Sequence, residues 1–149
     1  MICRAVESDL PEILRLQRLA FTEEAEHCGD LAIDPMVETL ERLRADLEEG
    51  IVLKFVAEGR IVGAVRSRER EGGCYISRLV VHPDMRGRGI GRRLMEAIEG
   101  ENPNAPRFQL FTREDNLRNR RLYDSLGYRP VRVERVSDIL SFVHLEKDR

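Results

Sequence analysis

Apolar residues recur along the chain with two spacings, and the switches between them mark the elements. Ile2 to Val6 reads as a short strand. Asp9 then stands where it caps a helix, with Glu12 three residues on to close a capping box and Pro11 tolerated in the first turn. Leu10, Ile13, Leu14 and Phe21 give that helix one apolar face. Thr22 to Asp34 is acidic without clean periodicity and reads as a helix end followed by a loop. Asp34-Pro35 starts a second helix, whose Met36, Leu40, Leu43 and Leu47 form one stripe until Gly50 stops it. Ile51 to Ala57 and Ile61 to Arg68 are strand-like runs joined at Glu58-Gly59-Arg60, and Cys74 to Val81 follows the turn at Gly72-Gly73. Gly89 to Glu99 is helical, Arg107 to Thr112 a strand, and Asn116 to Leu126 a helix ended by Gly127. Two closing strands run from Tyr128 to Val136 and from Ile139 to Leu145. The order β-α-α-β-β-β-α-β-α-β-β predicts an α/β fold, a mixed sheet with helices on both faces.

A length of 149 residues suits one domain, expected to span 1–149, large enough to bury roughly 70% of its unfolded surface. No apolar run reaches membrane-span length, and Arg4, Glu7 and Asp9 interrupt any signal-peptide pattern. Cys3, Cys28 and Cys74 are widely spaced without a C-x-x-C pair, which argues for reduced thiols rather than disulfides or zinc. Together these predict a cytoplasmic protein with no membrane partner and no metal. Net charge is only -2, but it is unevenly spread: residues 1–60 carry -7 and residues 61–149 carry +5. Nearly all the cations are arginines, the side chain best suited to gripping phosphate.

The most informative stretch is Leu79-Val80-Val81-His82-Pro83-Asp84-Met85-Arg86-Gly87-Arg88-Gly89-Ile90-Gly91-Arg92-Arg93. A buried strand runs into a loop of three alternate glycines that opens a helix. Glycines let main-chain amides approach an anion closely, and the helix dipole favours negative charge there. The spacing G-x-G-x-G matches neither the dinucleotide fingerprint nor a Gly-Lys-Ser/Thr loop.

Arg86-x-x-Gly89-x-Gly91, following that strand, resembles the acyl-CoA pyrophosphate loop of the GNAT family of N-acetyltransferases, Q/R-x-x-G-x-G/A. A second block, Asn116 through Tyr123 to Gly127-Tyr128, is similar to the family's N-x₆-Y…G-F/Y helix. Asn116 and Tyr123, seven apart, lie two turns along one helix face. The resemblance spans nearly the whole chain and implies the acyl-CoA N-acyltransferase fold, with acetyl-CoA as cosubstrate and an amine acceptor. Carried over, it gives Leu79, Val80 and Val81 main-chain pairing with the pantetheine arm, and gives the pyrophosphate to Arg86 and the amides of Gly87, Arg88, Gly89, Ile90, Gly91 and Arg92. Asn116 holds the arm, Tyr123 protonates the departing thiolate, and an N–H near Val81 steadies the oxyanion. A homodimer is a family habit.

Many family members carry a glutamate base on the fourth or fifth strand. Tyr75, Ser77 and Arg78 on the one, and Gln109 and Phe111 on the other, supply none. Glu24, Glu26 and His27 in the front half are the substitutes, Glu24 foremost, and a water chain is another. His82 and His144 lack the spacing of a triad. Two other readings stay open: a CoA-binding regulatory module without catalysis, and an arginine-rich nucleic-acid binder using Arg86, Arg88, Arg92, Arg93, Arg118, Arg120 and Arg121. The second is opposed by the lack of aromatics between the arginines, so no nucleic-acid partner is expected. The acids Glu23, Glu24, Glu26, Asp30 and Asp34 suit a polyamine, an aminoglycoside-like compound, a protein N-terminus or a lysine alike.

Overall fold

The computed structural model of the chain describes residues 1–28 and 33–149, the side chains of residues 27 and 28 excepted. Strands are β1 (Ile2–Arg4), β2 (Ile51–Ala57), β3 (Arg60–Arg70), β4 (Gly73–Val81), β5 (Arg107–Arg113), β6 (Arg129–Arg135) and β7 (Ser141–Asp148). Helices are α1 (Leu10–Cys28), α2 (Asp34–Val37), α3 (Leu40–Glu49), α4 (Ile90–Gly100) and α5 (Leu117–Ser125). The strands form one mixed sheet in the order β1-β2-β3-β4-β5-β7-β6. All neighbours are antiparallel except β4 and β5. β7 inserts between β5 and β6, so the strand that follows α5 becomes the outer edge.

Strand alternation distributes the core to both faces of the sheet. Leu53, Phe55, Val65, Ile76, Phe108 and Leu110 pack under α4 and α5 with Leu94, Met95, Ile98 and Tyr128. Val52, Ile61, Ala64 and Val80 point the other way, onto Leu10, Ile13, Leu14 and Leu16 of α1 and Leu43 of α3. At Gly63 a side chain would meet Leu94 Cδ1 at 2.9 Å, so α4 rests directly on the β3 main chain.

The front half departs from the pattern-based reading in three places. Asp9 does not box with Glu12. It lies in a 3-10 turn (Glu7–Asp9), accepts from the Val6 amide at 2.8 Å and pairs with Lys54 at 2.8 Å. Glu12 instead accepts from the Ile61 amide at 2.7 Å. Second, α1 runs on to Cys28, so Glu23, Glu24 and Glu26 are helical rather than in a loop. The stretch Glu-Glu-Ala-Glu has good helix propensity, and Ala25 is fully buried. Third, the single stripe from Met36 to Leu47 is broken at Glu38-Thr39. Thr39 is extended and caps α3 by accepting from the Arg42 amide at 3.2 Å.

That break turns Glu38 inward. Its carboxylate is buried and meets Arg66 of β3 at 2.6 Å, while the same guanidinium reaches Asp46 of α3 at 2.9 Å and donates to Gln17 of α1. Gln17 in turn donates to Glu38 at 3.1 Å and to the Pro35 carbonyl at 2.8 Å. One buried cation thereby ties α1, α3 and the α2–α3 junction to the sheet. Burial acts to raise the Glu38 pKa, but hydrogen bonding and charge from Arg66, then Gln17 and Arg78, hold it below the usual value. A depressed carboxylate stabilises the fold above its unfolded pKa, and that contribution is lost as pH falls through the folded value. Glu38→Gln is therefore expected to cost about 3 kcal/mol at neutral pH by urea denaturation. Its stability should also fall less steeply than that of the unsubstituted protein below about pH 4.3.

Candidate active site

The fourth strand carries an extra residue. Ala64 pairs with Val80 and Arg66 with Ser77, so two steps along β3 match three along β4. Arg78 takes up the surplus in a left-handed conformation, φ 54°. On the other side, β4 pairs with β5 only at Cys74↔Phe108 and Tyr75↔Gln109, where both strands begin. Beyond those pairs the strands part, and among the described residues the later part of β4 has no ladder partner in β5. The opening is a cleft of about 890 Å³.

The glycine turn closes one end of this cleft. Gly87 and Gly89 have φ of 78° and 79°, a region open to glycine at little cost. Gly89 caps α4. Gly91 serves differently: it lies in the first turn of α4, where a Cβ would touch Leu122 of α5 at 3.4 Å. Among the described residues, the amides of residues 87–92 donate to no main-chain carbonyl, the ordinary condition of a helix N-terminus. Arg86 faces Glu23 at 3.4 Å and donates to the Ala20 carbonyl at 3.2 Å. Arg92 bonds Ser125 and stands 4.0 Å from Glu96.

Leu79, Val80, Val81, Arg86 and Gly87 line the cleft, as do Gly89, Ile90, Gly91 and Arg92. The Arg88 side chain is exposed and does not line it. Asn116 lines it too but has a second duty that spacing did not reveal, because its Oδ1 caps α5 by accepting from the Asn119 amide at 3.1 Å. Tyr123 is 5% exposed and meets Tyr128 edge-on at 6.0 Å between centroids. Tyr128 is anchored by donating to Glu99 at 2.8 Å. Burial first, and then the charge of Glu24, push the Tyr123 pKa well above the ordinary phenol value, so it stays protonated across the neutral range.

Glu24 lines the cleft and faces Arg113 at 3.8 Å. Glu26 is exposed, and the side chain of His27 and Asp30 lie outside the described residues. His82 accepts from the Asp84 amide at 3.1 Å and caps a 3-10 turn. His144 meets Glu134 at 2.9 Å on the outer strands. No group of His, Cys, Asp and Glu among the described residues is arranged to hold a metal ion. No helix among them is long and apolar enough to cross a membrane.

The sequence did not single out the aromatic wall of Tyr75, Phe111 and Phe142, nor Arg78 and Arg113, all of which border the cleft. Their signal is parity. Tyr75 and Phe111 alternate with the core residues Cys74, Ile76, Phe108 and Leu110, and so face away from α4 and α5. Arg118 also borders the cleft, held below its ordinary pKa by burial and by the charge of Arg86.

The cleft thus joins a parted β4–β5 pair to a glycine turn at its end. Over residues 21–149 the sequence matches the acetyltransferase (GNAT) domain family. Acetyltransferase YE1169 from Yersinia enterocolitica is 33% identical over 130 residues, covering 82% of each chain. UPF0157 protein YqkA from Bacillus subtilis is 29% identical across 93% of this chain, which spans only 40% of that relative's length. The fold matches the ribosomal-protein-S18-alanine N-acetyltransferase from Escherichia coli with a TM-score of 0.81 at 18% identity, over 99% of this chain and 92% of the other. It also matches PaiA N-acetyltransferase from Thermoplasma acidophilum, solved with coenzyme A, with a TM-score of 0.81 at 15% identity over 100% and 98%. The chain belongs to the GNAT family of acetyltransferases.

Gly89→Ala places a methyl group in open space but in a disfavoured backbone region. A loss of about 1–2 kcal/mol by urea denaturation, with no change in secondary structure by circular dichroism, is the expected result.

Proposed function

We propose that this chain acts as one N-acetyltransferase domain, moving an acetyl group from acetyl-CoA to a primary amine by direct attack in a ternary complex. The observation that carries the reading is the parting of β4 and β5 next to the unengaged amides of residues 87–92. An acyl-CoA fits this shape in two ways: its pantetheine arm pairs with the free edge of β4 at Leu79 to Val81, and its pyrophosphate meets the turn at Gly87 to Arg92. Arg86 and Arg92 line the same stretch and add charge. The Asn116 amide nitrogen, left over from capping, holds the arm.

The amine nitrogen attacks the thioester carbonyl, the C–N bond forms and the C–S bond breaks. Glu24 takes the proton from the amine, and Tyr123 gives one to the thiolate sulfur. The two transfers help each other. An unperturbed tyrosine near ~10 gives its proton to a thiolate of ~8.5 uphill by about 2 kcal/mol. Burial and the Glu24 charge make that step harder still. When Glu24 is neutralised by the amine's proton, its contribution to holding the Tyr123 proton disappears, and the phenol becomes a better acid at the moment the thiolate forms. Solvent then returns a proton to the tyrosinate.

Acetyl-CoA at 100 times its dissociation constant is expected to stabilise the folded protein by about 2.7 kcal/mol, visible as a rise in Tm; no rise at millimolar ligand overturns the reading. Tyr123→Phe is expected to lower kcat roughly 10²–10⁴-fold while leaving the acetyl-CoA dissociation constant within about twofold. An unchanged kcat removes Tyr123 from the acid role.

A further inference from the structure

Arg78 is the unsettled charge of the cleft. Its Nε is buried and is the one buried side-chain polar atom among the described residues without a hydrogen-bond partner. Its Nη2 lies 3.5 Å from Glu38, a carboxylate already engaged by Arg66 at 2.6 Å and by Gln17 at 3.1 Å. Asp46 is engaged by Arg66 at 2.9 Å and stands 3.7 Å from Arg68. Three guanidiniums thus share two carboxylates. Arg68 is half-exposed and solvated, whereas the Arg78 side chain is only 18% exposed and borders the cleft.

The neighbouring surface is aromatic. Tyr75 and Phe111 stack with centroids 6.4 Å apart, and Phe142 meets Phe111 at 4.8 Å. The Arg70 guanidinium lies 4.8 Å above the Tyr75 ring. Burial raises the Tyr75 hydroxyl pKa while the charges of Arg70, Arg78 and Arg68 act against it, so the positive field extends over this floor. Three of the acids that border the cleft are met by other cations: Glu24 and Asp115 face Arg113, at 3.8 and 2.7 Å, and Glu23 faces Arg86. Asp34 stands at the start of α2.

Building on the acetyltransferase reading, we propose that the acceptor is an amine that also carries a carboxylate, of amino-acid type with an apolar or aromatic side chain. Arg78 takes the carboxylate through the part of its guanidinium that borders the cleft, and the side chain lies on Tyr75, Phe111 and Phe142. The carboxylate supplies the anion that Glu38 and Asp46 leave wanting. A polycation gains nothing beside three arginines and is repelled by them. After transfer the products are free CoA thiol and an N-acetylated acid whose carboxylate is unchanged.

The test compares L-phenylalanine, L-phenylalaninamide, phenethylamine, spermidine and an alanine-initiated peptide amide by thiol release from acetyl-CoA. L-Phenylalanine is expected to exceed the carboxylate-free amines by roughly tenfold or more in kcat/KM. That advantage should fall to near parity in Arg78→Gln. Arg78→Lys, which keeps a charge opposite Glu38 but loses the planar fork, should recover only part of it. The acetyl-CoA-induced rise in Tm should persist in both variants, showing that each is folded with its cosubstrate site intact. Preference for any carboxylate-free amine, or an advantage untouched by Arg78→Gln, overturns the proposal. If no amine is turned over, calorimetry with N-acetyl-L-phenylalanine and the CoA-saturated protein decides: binding lost in Arg78→Gln supports it, and absent or unaltered binding overturns it. A missing acetyl-CoA response in the unsubstituted protein overturns the acetyltransferase reading and this one with it, whereas a normal response without carboxylate preference overturns this one alone.

Discussion

One surplus residue in β4 governs the working part of this molecule. A strand that stays in register between two neighbours offers no main-chain groups to a ligand, because every amide and carbonyl is paired. Arg78 breaks that condition. The bulge lies between Ser77 and Val80 against β3, and the pairing with β5 ends at Tyr75, just before it. A left-handed non-glycine residue is costly and persists only where its surroundings hold it. Here the surroundings are named: Arg78 reaches Glu38, and Glu38 is fixed by Arg66, the buried cation that also holds Gln17 and Asp46. The packing network of α1 and α3 thus meets the opening of the sheet at Arg78.

The uneven charge of the chain resolves largely within the molecule. Acids of the front half meet arginines of the back half at Glu23–Arg86, Glu24–Arg113, Glu38–Arg66, Glu38–Arg78 and Asp46–Arg66. Exposed pairs of this kind contribute little to stability. Buried ones specify position, because a mispaired charge in the interior is expensive. Some arginines of the nucleic-acid alternative are also engaged within the molecule: Arg93 lies over the Phe55 ring, Arg120 donates to the Glu114 carbonyl, and Arg92 bonds Ser125. Composition signalled two poles, while the structure places the partners side by side.

What the sequence disclosed follows from how local each signal is. The glycine turn was legible because two of its residues need positive φ, and only glycine meets that need cheaply. The helix carrying Asn116 and Tyr123 was legible from spacing alone. The break at Glu38-Thr39 was missed because the apolar stripe runs through it unbroken, and a Thr cap competes with that stripe only when Glu38 has a buried arginine to meet. The Asp9–Glu12 box failed for the same reason: both carboxylates found stronger partners far along the chain, Lys54 and the Ile61 amide. The bulge left no trace at all, since Arg78 is neither glycine nor asparagine, and its conformation is imposed by tertiary contacts.

The relation between Glu24 and Tyr123 shows why the parted strands matter beyond binding. α1 packs on one face of the sheet and α5 on the other. In a continuous sheet a carboxylate on the first and a phenol on the second are separated by a layer of paired backbone and its side chains. Both residues border the one cleft between β4 and β5, and the charge of Glu24 is felt at Tyr123. A direct acyl transfer needs a proton removed on the acceptor side and one delivered on the thiol side while the same carbonyl is being crossed. In the proposed reaction, two groups on opposite faces of a sheet opened between them let acceptor and donor approach from different sides. That arrangement also leaves the Glu24 carboxylate near enough for its charge to act on the Tyr123 phenol.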